Sequence, residues 1–172
     1  MQSSFTKDLA VGATFETEVK EYLNMVHEDC TYYHVDGYFT QYDLICDHCN
    51  ISIECKHDKK SIYTGNFVFE RSLFEKSTAT YVAYKHCWVS YDAETHEPIG
   101  KASGIIWLFN RLSLVNRAQQ YMQNNHRNFI KGGDFINGKQ NEMLIVPIEL
   151  IPIDFVGTYQ IIDMTFNRRG IK

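Results

Sequence analysis

Apolar residues near the start of the chain recur at the spacing of a helix. Between residue 12 and about residue 28, the residues that share one predicted face are Phe15, Val19, Tyr22, Leu23 and Val26. A single apolar stripe of this kind is typical of an amphipathic helix that packs against the rest of its domain. We therefore predict a helix over this segment.

The period of the pattern changes after residue 31. The runs YDLIC (residues 42–46) and ISIECK (residues 51–56) are rich in strand-forming residues, and the turn sequence DHCN separates them. Together they predict a β-hairpin. A third strand is predicted over Asn66–Glu70, after a turn at Thr64-Gly65-Asn66.

The rest of the chain alternates between strand and helix patterns. Residues 80–92 favour a strand, although a short helix is an alternative for their first half, and residues 103–109 favour another strand. A helix is predicted over residues 112–125, a loop over 131–139, and a strand after residue 142 that Pro147 ends or places at an edge. We therefore predict an α/β fold with a central mixed β-sheet flanked by α-helices.

Length and composition fit one globular domain. The 172 residues suffice for one core, which we place at about residues 12–92, with a C-terminal strand and helix elaboration at about 103–172. No apolar run approaches the roughly 20 residues that cross a bilayer, and the start lacks the pattern of a signal peptide. We expect a cytoplasmic protein without a membrane partner, whose five cysteines are reduced thiols.

The hairpin places two carboxylates opposite each other. Alternate side chains of a strand share a face, so Glu54 and Lys56 project together. If residues 47–50 form the turn, Cys46 pairs with Ile51, and the same register puts Asp43 opposite Glu54. Facing carboxylates repel unless a cation lies between them, and Mg²⁺ prefers such oxygen ligands. A lysine beside them is suited to positioning a water and stabilising a phosphodiester transition state.

At these residues the chain resembles the PD-(D/E)XK nuclease superfamily. Asp43 matches its first acidic position and Glu54-Cys55-Lys56 its Glu-x-Lys element, although Tyr42 replaces the proline. The resemblance implies a restriction-endonuclease-like core and a Mg²⁺- or Mn²⁺-dependent endonuclease on DNA, of phage or mobile-element type, acting on branched or recombining DNA. It also implies metal ligation by Asp43, Glu54 and the backbone carbonyl of Cys55. RNA stays open as a substrate, and a homodimer is expected by analogy alone.

Two further carboxylates follow from the same resemblance. Relatives that cleave Holliday junctions carry Gly-x-x-x-Glu on a preceding helix, which Gly12 and Glu16 match, with Glu18 as the competing choice. The phrase KHDKKSIYTGNFVFE is similar to that of small phage-type nucleases and makes Glu70 a catalytic candidate, with Asp58 weaker.

The net charge of −4 does not favour binding to nucleic acid, so binding must rely on local basic surface. The basic residues that we predict to contact DNA are Lys59, Lys60, Arg127 and Lys131. The alternative is that these residues only solvate the surface. Exposed strands also carry Glu-x-Lys pairs that merely discourage aggregation.

A zinc site is the competing interpretation of the cysteines, and it belongs to a non-catalytic module that binds nucleic acid or protein. Cys46-x-x-Cys49 has the spacing of a zinc ligand pair. Further residues of ligand type are His48 between the two cysteines and His27, Cys30, His34 and His57 elsewhere in the chain. A structural site needs a second pair, and no second Cys-x-x-Cys or His-x₃₋₅-His follows. We therefore interpret Cys46 and Cys49 as incidental members of the hairpin.

Overall fold

The computed structural model describes residues 4–35, 41–58, 61–91, 98–136, 139–147 and 159–163. In chain order, these residues form α1 (Ser4–Val26), β1 (Tyr33–His34), β2 (Leu44–Cys46), β3 (Ile51–Asp58), α2 (Ser61–Thr64), β4 (Asn66–Glu70), α3 (Arg71–Glu75), β5 (Tyr81–Tyr91), β6 (Pro98–Asn110), α4 (Arg111–Asn124), β7 (Ile130–Ile136), β8 (Lys139–Pro147) and β9 (Tyr159–Asp163). No helix among them is long and apolar enough to cross a membrane.

The described strands form two sheets. The larger has the order β1-β2-β3-β5-β6-β9, in which only β3 and β5 are parallel neighbours. The smaller is antiparallel, in the order β4-β8-β7. The predicted α/β class with a mixed sheet is therefore confirmed, while the restriction-endonuclease-like core stays a prediction.

The larger sheet is covered on both faces. The stripe of α1 packs on one face, where Phe15, Val19 and Leu23 are at most 2% exposed. The smaller sheet and α4 cover the other face, and Phe67 of β4 lies edge-on to Tyr84 of β5 at 4.6 Å between ring centroids. Ring pairs of this geometry add to the stabilisation that comes from buried area, so the contact between Phe67 and Tyr84 stabilises the packing of the smaller sheet on the larger one. Strands β5 and β6 lie between the two cores and contribute buried side chains to both of them.

The hairpin register is the one that the sequence predicts. Cys46 pairs with Ile51, Ile45 with Ser52, and Leu44 with Ile53. Asn50 closes the turn with a φ of 53°, a conformation that asparagine tolerates better than most residues. Gly65 adopts a φ of 64° in the second turn, and β4 begins directly after it as predicted.

Three predictions about the elements were incomplete or wrong. Helix α1 begins at Ser4, eight residues before the predicted start. The predicted loop over 131–139 is wrong in its first part, because β7 runs to Ile136 and pairs with β8. The helical alternative after residue 80 is wrong, since β5 lies between β3 and β6 in the sheet and takes the strand conformation from both neighbours.

Candidate active site

The backbone at the start of β2 turns the Asp43 carboxylate toward β3. Its N–H donates to the carbonyl of Ile53 at 2.8 Å. Its Oδ2 accepts a hydrogen bond from the N–H of Cys55 at 2.6 Å. The carboxylate thus takes the place of a backbone carbonyl of the neighbouring strand. The register of β2 and β3, continued by one residue, puts Asp43 level with Glu54. The two predicted carboxylates therefore lie side by side at the end of the hairpin.

Glu54 and Lys56 project together from β3, as predicted. Lys56 Nζ lies 2.8 Å from Glu54 Oε1. The second oxygen, Glu54 Oε2, accepts from Ser77 Oγ at 3.3 Å. Glu54 is 7% exposed, so its charge is shielded from water and depends on these two partners.

Glu70 reaches the same lysine from the smaller sheet. It ends β4, and its Oε2 lies 3.5 Å from Lys56 Nζ and accepts from Ser72 Oγ at 3.2 Å. The lysine therefore bridges a carboxylate from each sheet. Asp58, by contrast, accepts from the Tyr84 hydroxyl at 2.9 Å and is part of a structural contact between β3 and β5.

Burial dominates the electrostatics of the carboxylates. It raises the pKa of Asp43, against the Cys55 N–H and the Lys56 charge, and the Glu16 charge raises this pKa further. Burial also raises the pKa of Glu54, with Lys56 opposing and Asp43 adding to the rise. Both residues therefore carry negative charge at some cost in free energy, which a bound cation would relieve.

Lys56 stays charged in this setting. Burial acts to lower the pKa of its ammonium group, but the nearby Glu54 and Glu70 carboxylates outweigh burial and raise that pKa. A positive charge is therefore fixed next to Glu54 at neutral pH.

The two glutamates of α1 have different partners. Glu16 Oε2 lies 3.5 Å from His34 Nδ1, and the Glu16 charge acts on Asp43. Glu18 Oε2 lies 2.5 Å from Nζ of Lys85, whose side chain is 9% exposed. Of the two, Glu16 is therefore the one that adds to the carboxylate cluster.

His34, Ser77 and Lys85 were not predicted as neighbours of these carboxylates. His34 of β1 pairs with Leu44 of β2, the residue after Asp43. Extending the predicted register from β2 to β1 would have placed His34 near Asp43. Ser77 lies in the segment between α3 and β5, and Lys85 in β5, where the sequence carries no local signal of the contact.

Of the four basic residues predicted to contact DNA, the structure describes Arg127 and Lys131. Lys59 and Lys60 are outside the described residues. Arg127 and Lys131 are exposed, after α4 and in β7. Glu70 pairs with Met143 and Met143 with Ile130, so Lys131 lies about 10 Å, two strand spacings, across the smaller sheet from the row of Glu70.

The interpretation of Cys46 and Cys49 as incidental is not supported. Their sulfur atoms and that of Cys30 all lie within 4.8 Å of one another. The third thiol comes from the segment after α1, which sequence spacing alone did not connect to the hairpin.

Comparisons with known proteins add no assignment. No protein-family model, curated protein or solved structure matches the chain. Function must therefore be argued from the geometry.

Proposed function

We propose that this protein is a metal-dependent nuclease that hydrolyses phosphodiester bonds, with DNA as its substrate. The observation that carries the proposal is the side-by-side pair of the half-buried Asp43 and the buried Glu54, with the Lys56 ammonium 2.8 Å from Glu54. Buried acids with raised pKa values beside a fixed cation are more frequent at functional sites than elsewhere. The resemblance to the PD-(D/E)XK superfamily supports the same proposal.

The donor set suits Mg²⁺ or Mn²⁺. Asp43 and Glu54 offer carboxylate oxygens, which hard divalent cations prefer. The N–H and the carbonyl of one strand residue point to the same side, so the Cys55 carbonyl faces Asp43 as its N–H does. These three groups would hold the ion, which would supply a water of lowered pKa and neutralise charge at the phosphate.

The chain's own residues would then orient the reaction. Lys56 holds its positive charge beside Glu54, where it can donate to a phosphate oxygen or to the attacking water. Glu70 and Ser77 fix the lysine and Glu54, which limits the positions that they adopt. Glu16 raises the negative potential at Asp43 and strengthens attraction for a cation.

The test is a cleavage screen of linear, single-stranded and branched DNA and of RNA, with Mg²⁺, with Mn²⁺ and with a chelator. Asp43→Asn, Glu54→Gln and Lys56→Gln should each reduce cleavage by at least about 100-fold. Glu21→Gln and Lys76→Gln are the matched controls, because both residues are exposed. The controls should cleave like the parent protein.

Thermal melts supply a readout that does not depend on the substrate. Mn²⁺ at about 100 times its Kd should stabilise the fold by about 2.7 kcal/mol, and Glu54→Gln should remove most of this gain. A parent protein that neither cleaves any of these substrates nor responds to Mn²⁺ would refute the proposal.

A non-catalytic binding module is the second candidate. The observation that favours it is that Lys56 and Ser77 already satisfy both oxygens of Glu54. Binding of nucleic acid without cleavage, unaffected by the substitutions at Asp43 and Glu54, would support this candidate.

A further inference from the structure

Three cysteines that the proposed nuclease chemistry does not use converge at the other end of the hairpin. Cys46 ends β2, Cys49 lies in the turn that follows, and Cys30 lies in the segment after α1. Cys30 Sγ is 3.3 Å from Cys49 Sγ, and all three sulfur atoms lie within 4.8 Å of one another. Sulfur ligands of tetrahedral zinc, each about 2.3 Å from the ion, are about 3.8 Å apart. The Cys30–Cys49 separation is about 0.5 Å shorter than that value, and none of the three separations exceeds it by more than about 1 Å.

His27 precedes Cys30 by three residues, which gives a second pair with ligand spacing, although neither of its ring nitrogens lies within 4.8 Å of all three sulfur atoms, so it must move to bind an ion shared with them. His27-x-x-Cys30 repeats the two-residue gap of Cys46-x-x-Cys49, and fifteen residues separate the two pairs. The N–H of Cys30 donates to the carbonyl of His27 at 2.9 Å, which folds the first pair into a turn. His27 Nδ1 lies 3.2 Å from the hydroxyl of Tyr32, a buried side chain whose electrostatic partners include all three cysteines. Two such pairs at this separation are a pattern of structural zinc sites.

We propose that Cys30, Cys46, Cys49 and His27 bind a structural Zn²⁺ ion. The three thiols release their protons to solvent on binding, and His27 completes four-coordination in place of its bond to Tyr32. The complex carries one net negative charge from three thiolates and one dication. This proposal does not rest on the proposed nuclease activity, because the ligands lie at the hairpin turn and the carboxylates at its opposite end.

The protonation of the thiols is compatible with this role. Burial opposes ionisation of Cys46, but hydrogen bonds from the Cys49 backbone N–H and from neighbouring groups outweigh it and lower the Cys46 pKa to about 7. The pKa of Cys30 rises to about 12 chiefly through its hydrogen bond with Cys49.

The ion would connect segments that carry the candidate active site. Helix α1, which bears Glu16, leads to the ligand pair His27 and Cys30, and the hairpin that bears Asp43 and Glu54 supplies the other pair. Zinc would therefore fix the position of the helix against the hairpin.

The test begins with the full chain purified under reducing conditions without chelator. Elemental analysis should find one zinc per chain, and re-addition of zinc to the stripped protein should raise its Tm by roughly 5–10 °C at 100 times the Kd. Replacement by Co²⁺ should give the absorption of a tetrahedral ion with thiolate charge-transfer bands. Cys30→Ser, Cys46→Ser and Cys49→Ser should each abolish stoichiometric binding.

The matched control is Cys87→Ser, which also removes one thiol. Cys87 follows His86, which pairs with Asp58 at the end of β3. The thiol cluster lies at the opposite end of β3, next to Ile51, and roughly 20 Å of strand separates the two ends. This variant should keep its zinc. His27→Ala should weaken binding at least about tenfold, whereas His48→Ala, at an exposed position between Cys46 and Cys49, should not.

Several results would overturn the proposal. One is a reduced parent protein that takes up no zinc and shows no change in Tm. Another is a Cys30–Cys49 disulfide that persists in reducing buffer and is detected as a mass loss of two hydrogens. If the serine variants do not fold, the parent protein is titrated with zinc in the presence of a chromogenic chelator. A parent protein that takes no zinc from the chelator would refute the site. Full zinc affinity in His27→Ala would remove His27 from the ligand set.

Discussion

Replacement of Lys56 by methionine tests the electrostatic account of the candidate active site. Methionine keeps most of the side-chain volume but removes the ammonium that lies 2.8 Å from Glu54 Oε1. Glu54, 7% exposed, then retains only the hydrogen bond from Ser77. Removal of one member of a buried ion pair costs about 3–5 kcal/mol. Because the Lys56 side chain is 24% exposed and partly screened, we expect about 3 kcal/mol, or a fall in Tm of roughly 6–12 °C.

The pH dependence of this loss of stability identifies the charge of Glu54 as its cause. The Glu54 pKa is already raised by burial, and without Lys56 it must rise further above the ordinary value of 4.5. A carboxyl group with a raised folded-state pKa destabilises the fold increasingly as the pH rises from its unfolded-state pKa to its folded-state pKa, and the destabilisation is constant above that. The penalty should therefore be largest near pH 7 and should shrink as the pH falls toward 4.5, because protonation of Glu54 removes its uncompensated charge.

The assay is denaturant unfolding at a series of pH values, with the double variant Glu54→Gln/Lys56→Met as the matched control. The amide that replaces the Glu54 carboxylate in the double variant carries no charge, so its stability should recover to within about 1 kcal/mol of the parent. Cleavage should be absent from both variants. A Lys56→Met protein as stable as the parent, or a penalty that is the same from pH 4.5 to pH 8, would refute the reasoning.

Two further predictions concern the same region and its surroundings. Asp43→Asn should stabilise the metal-free fold at pH 7, because the Asp43 pKa is raised mainly by burial. In thermal melts at several pH values, this gain in stability should vanish below about pH 3.8. A gain in stability that does not depend on pH would contradict this cause. Arg127→Ala and Lys131→Ala should each lower the slope of log affinity against log salt by about one unit, measured by fluorescence anisotropy in Ca²⁺ to prevent cleavage. Unchanged slopes in both variants would place the DNA path elsewhere.

Local pattern was sufficient for the hairpin and for the core of the site. The alternation in ISIECK and the turn at DHCN determine the register of Cys46 with Ile51, and from that register follows the position of Asp43 beside Glu54. The strand at Asn66–Glu70 was equally local, since Gly65 and the alternation of phenylalanines mark it. Each of these predictions depends on residues fewer than about fifteen positions apart.

Contacts between distant segments were beyond such reasoning. Nothing in NFVFE indicates that β4 joins β8 in a second sheet, because both strands have the composition of buried strands in general. The bond between Glu18 and Lys85 spans 67 positions and favours Glu16 as the member of the carboxylate cluster. The thiol cluster was rejected for a different reason. His27 and Cys30 were among the residues of ligand type, but the chain has no second Cys-x-x-Cys and no His-x₃₋₅-His pair to join Cys46 and Cys49.

The pairing of β4 with β8 also bears on when the candidate active site is assembled during folding. Asp43, Glu54 and Lys56 come from adjacent strands near the N-terminus, so their hairpin can form early. Glu70 is held by a strand whose partner, Lys139–Pro147, leaves the ribosome some 70 residues later. A nascent chain that ends after α4 would thus carry the acidic pair and its lysine without the sheet that holds Glu70. On the proposed function, such a nascent chain should not cleave DNA, and cleavage should require synthesis of β8.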